Sequence, residues 1–212
     1  MRLVLLGVPG AGKGTQAEKI SEIIKIPHIS TGDILRSEIK RGTPLGKKAD
    51  EYVRKGKLVP DEVIIEIIKE EINRGGSKDG FLLDGFPRNL KQAVILSNMM
   101  NKLGLKLNKV INIVVNSDEV VKRLSSRRIC INCKKIYRFN NRQSGDINRC
   151  PECGGKLIKR KDDSIDVIKK RLEIYESETK PLINYYSNKA LLVNINGIGT
   201  EQEITERILK HL

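Results

Sequence analysis

The chain has 212 residues, 39% of them hydrophobic and 4% aromatic, which suffices for one α/β domain with an insertion and an aliphatic core. No run of 18 apolar residues occurs, which excludes a transmembrane helix, and no secretory signal precedes the first apolar run, so a cytoplasmic location is expected. The formal net charge of +14 leaves three explanations open: phosphate-rich small ligands, nucleic acid, or a lysine-rich surface.

The first elements predict a phosphate-binding loop. Residues 3–6 are an apolar run typical of a buried strand, and the sequence GVPGAGKGT follows at 7–15 before an amphipathic helix. This order predicts a P-loop, whose backbone N–H groups surround a phosphate while Lys13 offers a mobile charge to the β- and γ-phosphates. General P-loops place Ser or Thr directly after the lysine, whereas here Gly14 precedes Thr15. A turn-rich loop without a ligand is the alternative.

Strand and helix patterns alternate along the remaining chain. The patterns predict further strands over 27–30, 81–84, 109–115 and 191–195. They predict helices that begin at 31 and after 43, and helices over 62–73 (with Asp61 as its cap), 89–103, 117–127, 164–187 and 201–211. The alternation predicts an α/β fold with a five-stranded parallel sheet and helices on both faces.

Charged and polar residues follow the first three predicted strands. In open α/β sheets, ligands gather at the carboxyl ends of the strands, so these loops should meet in one crevice. The crevice would contain Lys13, Arg36, Asp84, Arg88 and Gln92. Two arginines that face a P-loop indicate a second anion, and Asp84 is well placed to organise hydrated Mg²⁺. Taken singly, Arg36 could be a surface arginine and Asp84 could cap a turn.

Three segments, together with the P-loop, resemble the adenylate kinases and related nucleoside monophosphate kinases. They are TGDILR at 31–36, GKLVP at 56–60 and DGFPRNLKQA at 84–93, and the resemblance extends over essentially the whole chain. It implies an AMP-binding insertion over 30–59. It assigns AMP to Thr31, Arg36, Lys57, Leu58, Val59, Gly85, Phe86, Pro87, Arg88, Gln92, Arg160 and Arg171. The chemistry of these residues agrees with this assignment, because an arginine can donate two hydrogen bonds to a phosphate and a glutamine can pair with an adenine edge.

Four cysteines have the spacing of a structural zinc site, C-x2-C-x16-C-x2-C, at Cys130, Cys133, Cys150 and Cys153. Two disulfides or redox chemistry are alternatives that a cytoplasmic location disfavours. A small, weakly apolar insert needs such a staple. Adenylate kinases of the long-lid type carry an insert here, and some bind zinc through it. The resemblance therefore implies a zinc-binding lid over 128–159, between two parts of a P-loop core, 1–127 and 160–212.

The resemblance also assigns the ATP site and the catalytic residues. ATP contacts fall on Gly10, Ala11, Gly12, Lys13, Gly14, Thr15, Arg123, Arg127, Ile136, Tyr137 and Gly199. The catalytic residues are Lys13, Arg88, Arg127, Arg160 and Arg171. Asp162 and Asp163 match lid carboxylates that pair with arginines or the nucleotide on closure. Because Arg123 and Arg127 are four residues apart in a predicted helix, they should share one face. A helix end that favours cations is the alternative explanation.

The implied reaction is MgATP + AMP ⇌ 2 ADP, by direct in-line transfer without a covalent intermediate, in adenine nucleotide homeostasis. The implied cofactors are Mg²⁺ with ATP and one structural Zn²⁺ per chain. The expected partners are ATP, AMP and ADP, without nucleic acid or membrane, and the chain is expected to be a monomer. Two alternatives remain: a kinase of another nucleoside monophosphate, and a P-loop ATPase switch that carries a nucleic-acid-binding zinc ribbon.

Overall fold

A five-stranded parallel sheet lies at the centre of the computed structural model, which describes residues 1–74, 80–139 and 148–212. The strands of these described segments are β1 (Arg2–Gly7), β2 (His28–Ser30), β3 (Phe81–Asp84), β4 (Lys109–Val114), β5 (Arg127–Cys130), β6 (Ile136–Arg138), β7 (Leu157–Ile158) and β8 (Leu192–Asn196). The central sheet has the order β2-β3-β1-β4-β8, and every neighbouring pair is parallel. The predicted α/β class and all five predicted strands are confirmed.

Helices cover both faces of the sheet, as predicted. They are α1 (Lys13–Ile24), α2 (Thr31–Arg41), α3 (Pro44–Arg54), α4 (Asp61–Arg74), α5 (Leu90–Lys102), α6 (Ser117–Ser125), α7 (Ile165–Ile174), α8 (Pro181–Asn188) and α9 (Glu201–Leu209). Side-chain oxygens cap the N-termini of α2, α3, α5, α6 and α9. Within the described part of the chain, no helix is both long enough and apolar enough to cross a membrane.

The apolar strands are buried because each face of the sheet packs against its own set of helices. Along β1, Val4 and Leu6 belong to the hydrophobic cluster that includes side chains of α4, α5 and α8. Leu3 and Leu5 belong to the cluster that includes α1, α6 and α9. Successive strand side chains point to opposite faces. With both faces covered, the carboxyl ends of the strands are the natural place for a ligand.

The helix predicted over 164–187 is present but not regular, because a π-helical turn at Tyr175–Thr179 separates α7 from α8. Pro181 explains the break, since proline has no N–H to continue the helical ladder. The N–H of Lys180 instead donates to the carbonyl of Tyr175, five residues back. The wider turn brings the Thr179 hydroxyl to the carbonyl of Arg88, to which it donates at 2.7 Å.

The helix predicted over 117–127 ends two residues early, at Ser125. Arg127 begins β5 and pairs with Arg138 of β6, because the chain leaves the helix to form a strand ladder. Arg123 and Arg127 therefore do not share a helix face, and that prediction is wrong. Asp61, predicted to cap the helix over 62–73, is the first residue of α4. Its side chain accepts hydrogen bonds from Asn89, the cap of α5, and from Gln92 of α5.

A second, antiparallel sheet of three short strands, ordered β6-β5-β7, lies in the region predicted to be the lid. The sequence pattern of this region predicts no regular element, since strands of two to four residues are too short to show an alternation. Residues 140–147, within the predicted lid, lie outside the described residues. The boundaries of lid, AMP-binding insertion and core remain predictions.

Candidate functional site

The loop between β1 and α1 has the backbone conformation that a P-loop requires. Gly10 and Gly12 have φ values of 85° and 102°, in the region that favours glycine. A Cβ on Gly10 would also lie 2.8 Å from the side chain of Leu124. Lys13 begins α1 and folds back over the loop, where Nζ donates to the carbonyls of Gly7 and Val8 at 2.7 and 3.0 Å.

A cleft with an empty volume of about 640 Å³ collects most of the residues assigned to AMP. The assigned residues that line it are Thr31, Arg36, Lys57, Leu58, Val59, Gly85, Arg88, Gln92 and Arg171. Phe86 does not line it, because its ring is fully buried in the hydrophobic core. The Thr31 hydroxyl donates to the Gly85 carbonyl at 3.0 Å, which ties α2 to the end of β3.

Lys13 lies where the P-loop and this cleft meet. Burial lowers its pKa to about 8, the nearby Asp84 opposes that effect, and the positive charges of Arg88, Arg171 and Arg127 reinforce it. One lysine is thus close to a carboxylate and to three of the arginines assigned to catalysis. A cation in this environment lacks compensating negative charge, which the phosphates of a nucleotide would supply.

Two arginines of the site, Arg88 and Arg160, have lowered pKa values for the same reasons as Lys13. Arg88 is open to the cleft, yet desolvation by surrounding protein atoms, followed by the charges of Arg171 and Arg36, lowers its pKa to about 10. Desolvation also lowers the pKa of Arg160 to about 10, with Arg36 and Arg127 contributing. The Nε of Arg160 is buried and has no hydrogen-bond partner in the described part of the chain. The array therefore holds donor capacity that suits an anion.

Carboxylates partly neutralise the array on its lid side. Asp163 is fully buried, and Arg127 donates to both of its oxygens, at 2.7 and 2.5 Å. Arg171 donates to Asp162 at 3.0 Å and to Asp163 at 3.4 Å. The pairs link β5 and α7 to the segment between them that contains Asp162 and Asp163, so protein carboxylates hold two of the arginines assigned to catalysis.

Asp84 lies between the P-loop and the cleft. It is buried at the end of β3, and its Oδ2 is 3.5 Å from the point that a Cβ on Gly14 would occupy. The carboxylate therefore stands beside the first turn of α1. Oxygen ligands of this kind suit Mg²⁺, so the donor set fits the predicted ion.

The residues assigned to the rest of ATP divide into two groups. Arg123 is almost completely buried and donates to the carbonyls of Ala11 and Gly197, at 3.2 and 2.8 Å, which ties α6 to the P-loop and to the loop that contains Gly199. Ile136 and Tyr137 lie on β6. The Tyr137 hydroxyl is 3.1 Å from Sγ of Cys150, so it faces the cysteine cluster.

The four cysteines form one cluster, as their spacing predicts. The Sγ atoms of Cys130, Cys133, Cys150 and Cys153 all lie within 4.8 Å of one another, and none is in a disulfide. Cys130 and Cys150 are buried, whereas Cys133 and Cys153 are exposed. Four thiols at these separations fit a tetrahedral Zn²⁺ site.

The structure adds two residues that the sequence patterns did not assign to the site. An NH₂ group of Arg138 is 3.9 Å from the point that a Cβ on Gly12 would occupy, so this lid arginine reaches over the P-loop. Asp61 accepts a hydrogen bond from Gln92 at 2.7 Å. Each contact joins elements that are separate in sequence. The only indication in the sequence was that each residue is charged and lies near a recognised motif.

A P-loop lysine beside a cation-rich cleft, at the carboxyl ends of a parallel sheet, defines the class of P-loop phosphotransferases. A family model described as adenylate kinase matches residues 5–191. A protein named adenylate kinase from Caldicellulosiruptor bescii is 50% identical over 212 residues, which covers all of this chain and 99% of the relative. Relatives of the same name from Thermodesulfovibrio yellowstonii and Archaeoglobus fulgidus are 46% and 49% identical, over 98% and 93% of this chain and 97% and 91% of the relatives.

The chain therefore belongs to the adenylate kinase family. It is an enzyme that transfers phosphoryl groups to nucleoside monophosphates.

Proposed function

We propose that the chain transfers the γ-phosphoryl group of MgATP to AMP, giving two ADP, and so serves adenine nucleotide homeostasis. The observation that carries this proposal is the position of Lys13, which lies close to Asp84, Arg88, Arg127 and Arg171 at the edge of the cleft that Gln92 lines. Two phosphate sites that share one lysine suit in-line transfer between two bound nucleotides.

In this proposal the P-loop N–H groups of residues 10–15 hold the ATP phosphates. Lys13 exchanges its hydrogen bonds to two loop carbonyls for the β- and γ-phosphates. Arg36 and Arg88 bind the AMP phosphate, whose attacking oxygen is already ionised, so no general base is assigned. Arg127, Arg160 and Arg171 neutralise the charge that spreads over the transferring group.

The remaining assignments concern the nucleosides and the ions. Arg123, Ile136, Tyr137 and Gly199 bind the ATP nucleoside, and residues 57–59 with Gln92 bind the AMP base. Bound Mg²⁺ would neutralise the β- and γ-phosphates, with Asp84 as its holder through water. The four cysteines would hold Zn²⁺ as a structural staple of the lid, which contributes folding free energy and takes no part in the transfer.

A coupled assay of ADP formation tests the proposal, with MgATP and each of AMP, GMP, CMP and UMP as acceptor. We expect AMP to have the highest kcat/KM. Gln92→Ala should reduce the preference for AMP over GMP, because the wrong base then no longer leaves a buried amide unpaired. If another monophosphate had a higher kcat/KM than AMP, the acceptor assigned to this enzyme would be that monophosphate and not AMP.

A further inference from the structure

The amide of Gln92 is held at both ends. The side chain is 1% exposed and lines the cleft. Its Nε2 donates to Oδ1 of Asp61 at 2.7 Å, and its Oε1 accepts from the backbone N–H of Arg88 at 2.7 Å. These two bonds use one N–H and one oxygen lone pair, so one donor and one acceptor remain on the amide.

The two partners permit a single orientation of this amide. A carboxylate can only accept and a backbone N–H can only donate. If the amide turned over, Oε1 would face the carboxylate of Asp61 and Nε2 would face the N–H of Arg88. Both contacts would then be repulsive, within a buried site where an unpaired polar group is costly.

Asp61 is itself fixed as a charged acceptor. Asn89, the cap of α5, donates to the same Oδ1 at 3.1 Å, and Lys91 lies 3.5 Å from Oδ2. Burial raises the pKa of Asp61, but the hydrogen bonds from Gln92, Asn89 and Lys91 outweigh it and hold the pKa below its ordinary value. The carboxylate therefore stays ionised at neutral pH and gives Gln92 no donor.

We propose that Asp61 is a positioning residue that determines which purine the cleft accepts. The inference rests on the proposed function, in which Gln92 binds the AMP base. Adenine presents an amino donor at C6 and an acceptor at N1, which match the remaining oxygen lone pair and N–H of Gln92. A 6-oxopurine presents the reverse pattern, an acceptor at C6 and a donor at N1. Binding it would require the turned-over amide that Asp61 opposes.

The test compares kcat/KM for AMP and for IMP, which differ at C6 and N1, in the wild type and in Asp61→Asn. The carboxamide of the variant can donate to a turned-over Gln92, so that of the two contacts only the N–H of Arg88 still opposes that orientation. We expect the AMP-to-IMP ratio to fall by about tenfold or more, with the KM for MgATP unchanged. Glu62→Gln is the matched control, because Glu62 is the adjacent carboxylate and also pairs with Lys91, but is exposed and bonds to Lys91 rather than Gln92. Its ratio should equal that of the wild type.

If Asp61 had only a structural role, its substitution would lower the melting temperature or reduce kcat/KM for AMP and IMP equally. An unchanged AMP-to-IMP ratio in folded Asp61→Asn overturns this inference and leaves the proposed function standing. A wild type without preference for AMP over IMP overturns both the inference and the AMP assignment. Should Asp61→Asn fail to fold, Asp61→Ala removes the acceptor without adding a donor. It should reduce the ratio less than tenfold but measurably, and an unchanged ratio there has the same consequence.

Discussion

At the scale of single residues, Lys13 is a positively charged side chain held among other positively charged side chains. In the proposed function it is a mobile charge that binds phosphates, yet its surroundings contain several arginines and one nearby carboxylate. Its ammonium group donates hydrogen bonds to two loop carbonyls. In the proposed function, bound phosphates would offset the free-energy cost of holding this charge among other cations.

Lys13→Ala should reduce kcat by about 10²-fold or more and leave the fold intact, because the variant loses the P-loop charge that stabilises the transferring phosphoryl group. Lys19→Ala is the control, since Lys19 lies on the same helix but pairs with Glu201 at the surface, at 3.5 Å. Steady-state ADP formation and circular dichroism measure the two effects. Near-normal turnover in Lys13→Ala would contradict the P-loop assignment.

The pH dependence of ATP binding should report the same lysine. Since the pKa of Lys13 is about 8 in the free protein, kcat/KM for MgATP should decrease above pH 8, by about tenfold per pH unit. Bound phosphates stabilise the charged lysine and raise its pKa again. At saturating MgATP, kcat/KM for AMP should therefore stay level through pH 9, because Arg88 and Arg160 titrate near pH 10. Equal decreases in both profiles would argue against Lys13 as the titrating group.

At the scale of elements, two contacts hold the three-stranded lid sheet, β6-β5-β7, in place. The Arg127–Asp163 pair joins β5 to the segment before α7, with the carboxylate fully buried. The cysteine cluster joins the two ends of the lid, since Cys130 ends β5 and Cys150 precedes β7. The lid sheet has a hydrophobic cluster of only Cys130, Cys150 and Leu157, with Tyr137 and Phe139 packed against it, in the part of the chain described. Polar contacts must therefore supply much of its stability, and a zinc ion held by the four cysteines would add to it.

Asp163→Asn should lower the free energy of unfolding by about 3 kcal/mol, because it leaves the guanidinium of Arg127 without its buried counter-charge. Urea unfolding followed by circular dichroism measures the change. Glu173→Gln removes a carboxylate from an exposed pair with Lys170 on α7, at 2.9 Å, and should change stability by less than about 0.5 kcal/mol. A similarly small effect of Asp163→Asn would show that the buried pair is dispensable for stability.

The purified protein should contain one zinc ion, and Cys130→Ser should lower the melting temperature, since metal binding supplies folding free energy to the lid. Elemental analysis and differential scanning calorimetry measure the two quantities. Chelation of the wild type should reproduce the loss, and added zinc should reverse it in the wild type alone. Metal-free protein with four reactive thiols and an unchanged melting temperature would contradict the site.

At the scale of the whole molecule, the arginines of the site come from separate parts of the chain. Arg36 lies on α2, Arg88 follows β3, Arg127 begins β5, Arg160 precedes α7 and Arg171 lies in the last turn of α7. No single element carries the array, so its geometry depends on how the AMP-binding segments and the lid sit against the central sheet. Adenylate kinases are a known example of enzymes whose lid closes over the substrates and excludes water from the reaction. We therefore expect a bound acceptor to change the rate at which ATP is hydrolysed.

MgATP alone should be hydrolysed far more slowly than it is consumed with AMP, by about 10²-fold or more, because we expect Arg36 and Arg88 to take up their catalytic positions only around an acceptor phosphate. Phosphate release with and without AMP, beside ADP formation by the same preparation, measures this difference. Vigorous hydrolysis without an acceptor would contradict the kinase and favour the ATPase switch.

The sequence alone determined most features that depend on neighbours along the chain. The glycine loop, the apolar strands, the caps and the cysteine spacing are local patterns, so the P-loop, the parallel sheet and the cysteine cluster could be predicted from them. The resemblance of 31–36, 56–60 and 84–93 to adenylate kinases likewise located most residues that line the cleft.

Tertiary structure decided the contacts between elements that are distant in sequence. Pairing of Arg127 with Arg138 ended α6 early, because a strand ladder satisfied backbone groups that a longer helix would otherwise have used. The hydrogen bond between Asp61 and Gln92 joins α4 to α5 across 31 positions, and no periodicity encodes it. Local patterns predict which elements form, whereas the orientation of a buried amide or arginine depends on partners that only the packed fold brings within hydrogen-bond distance.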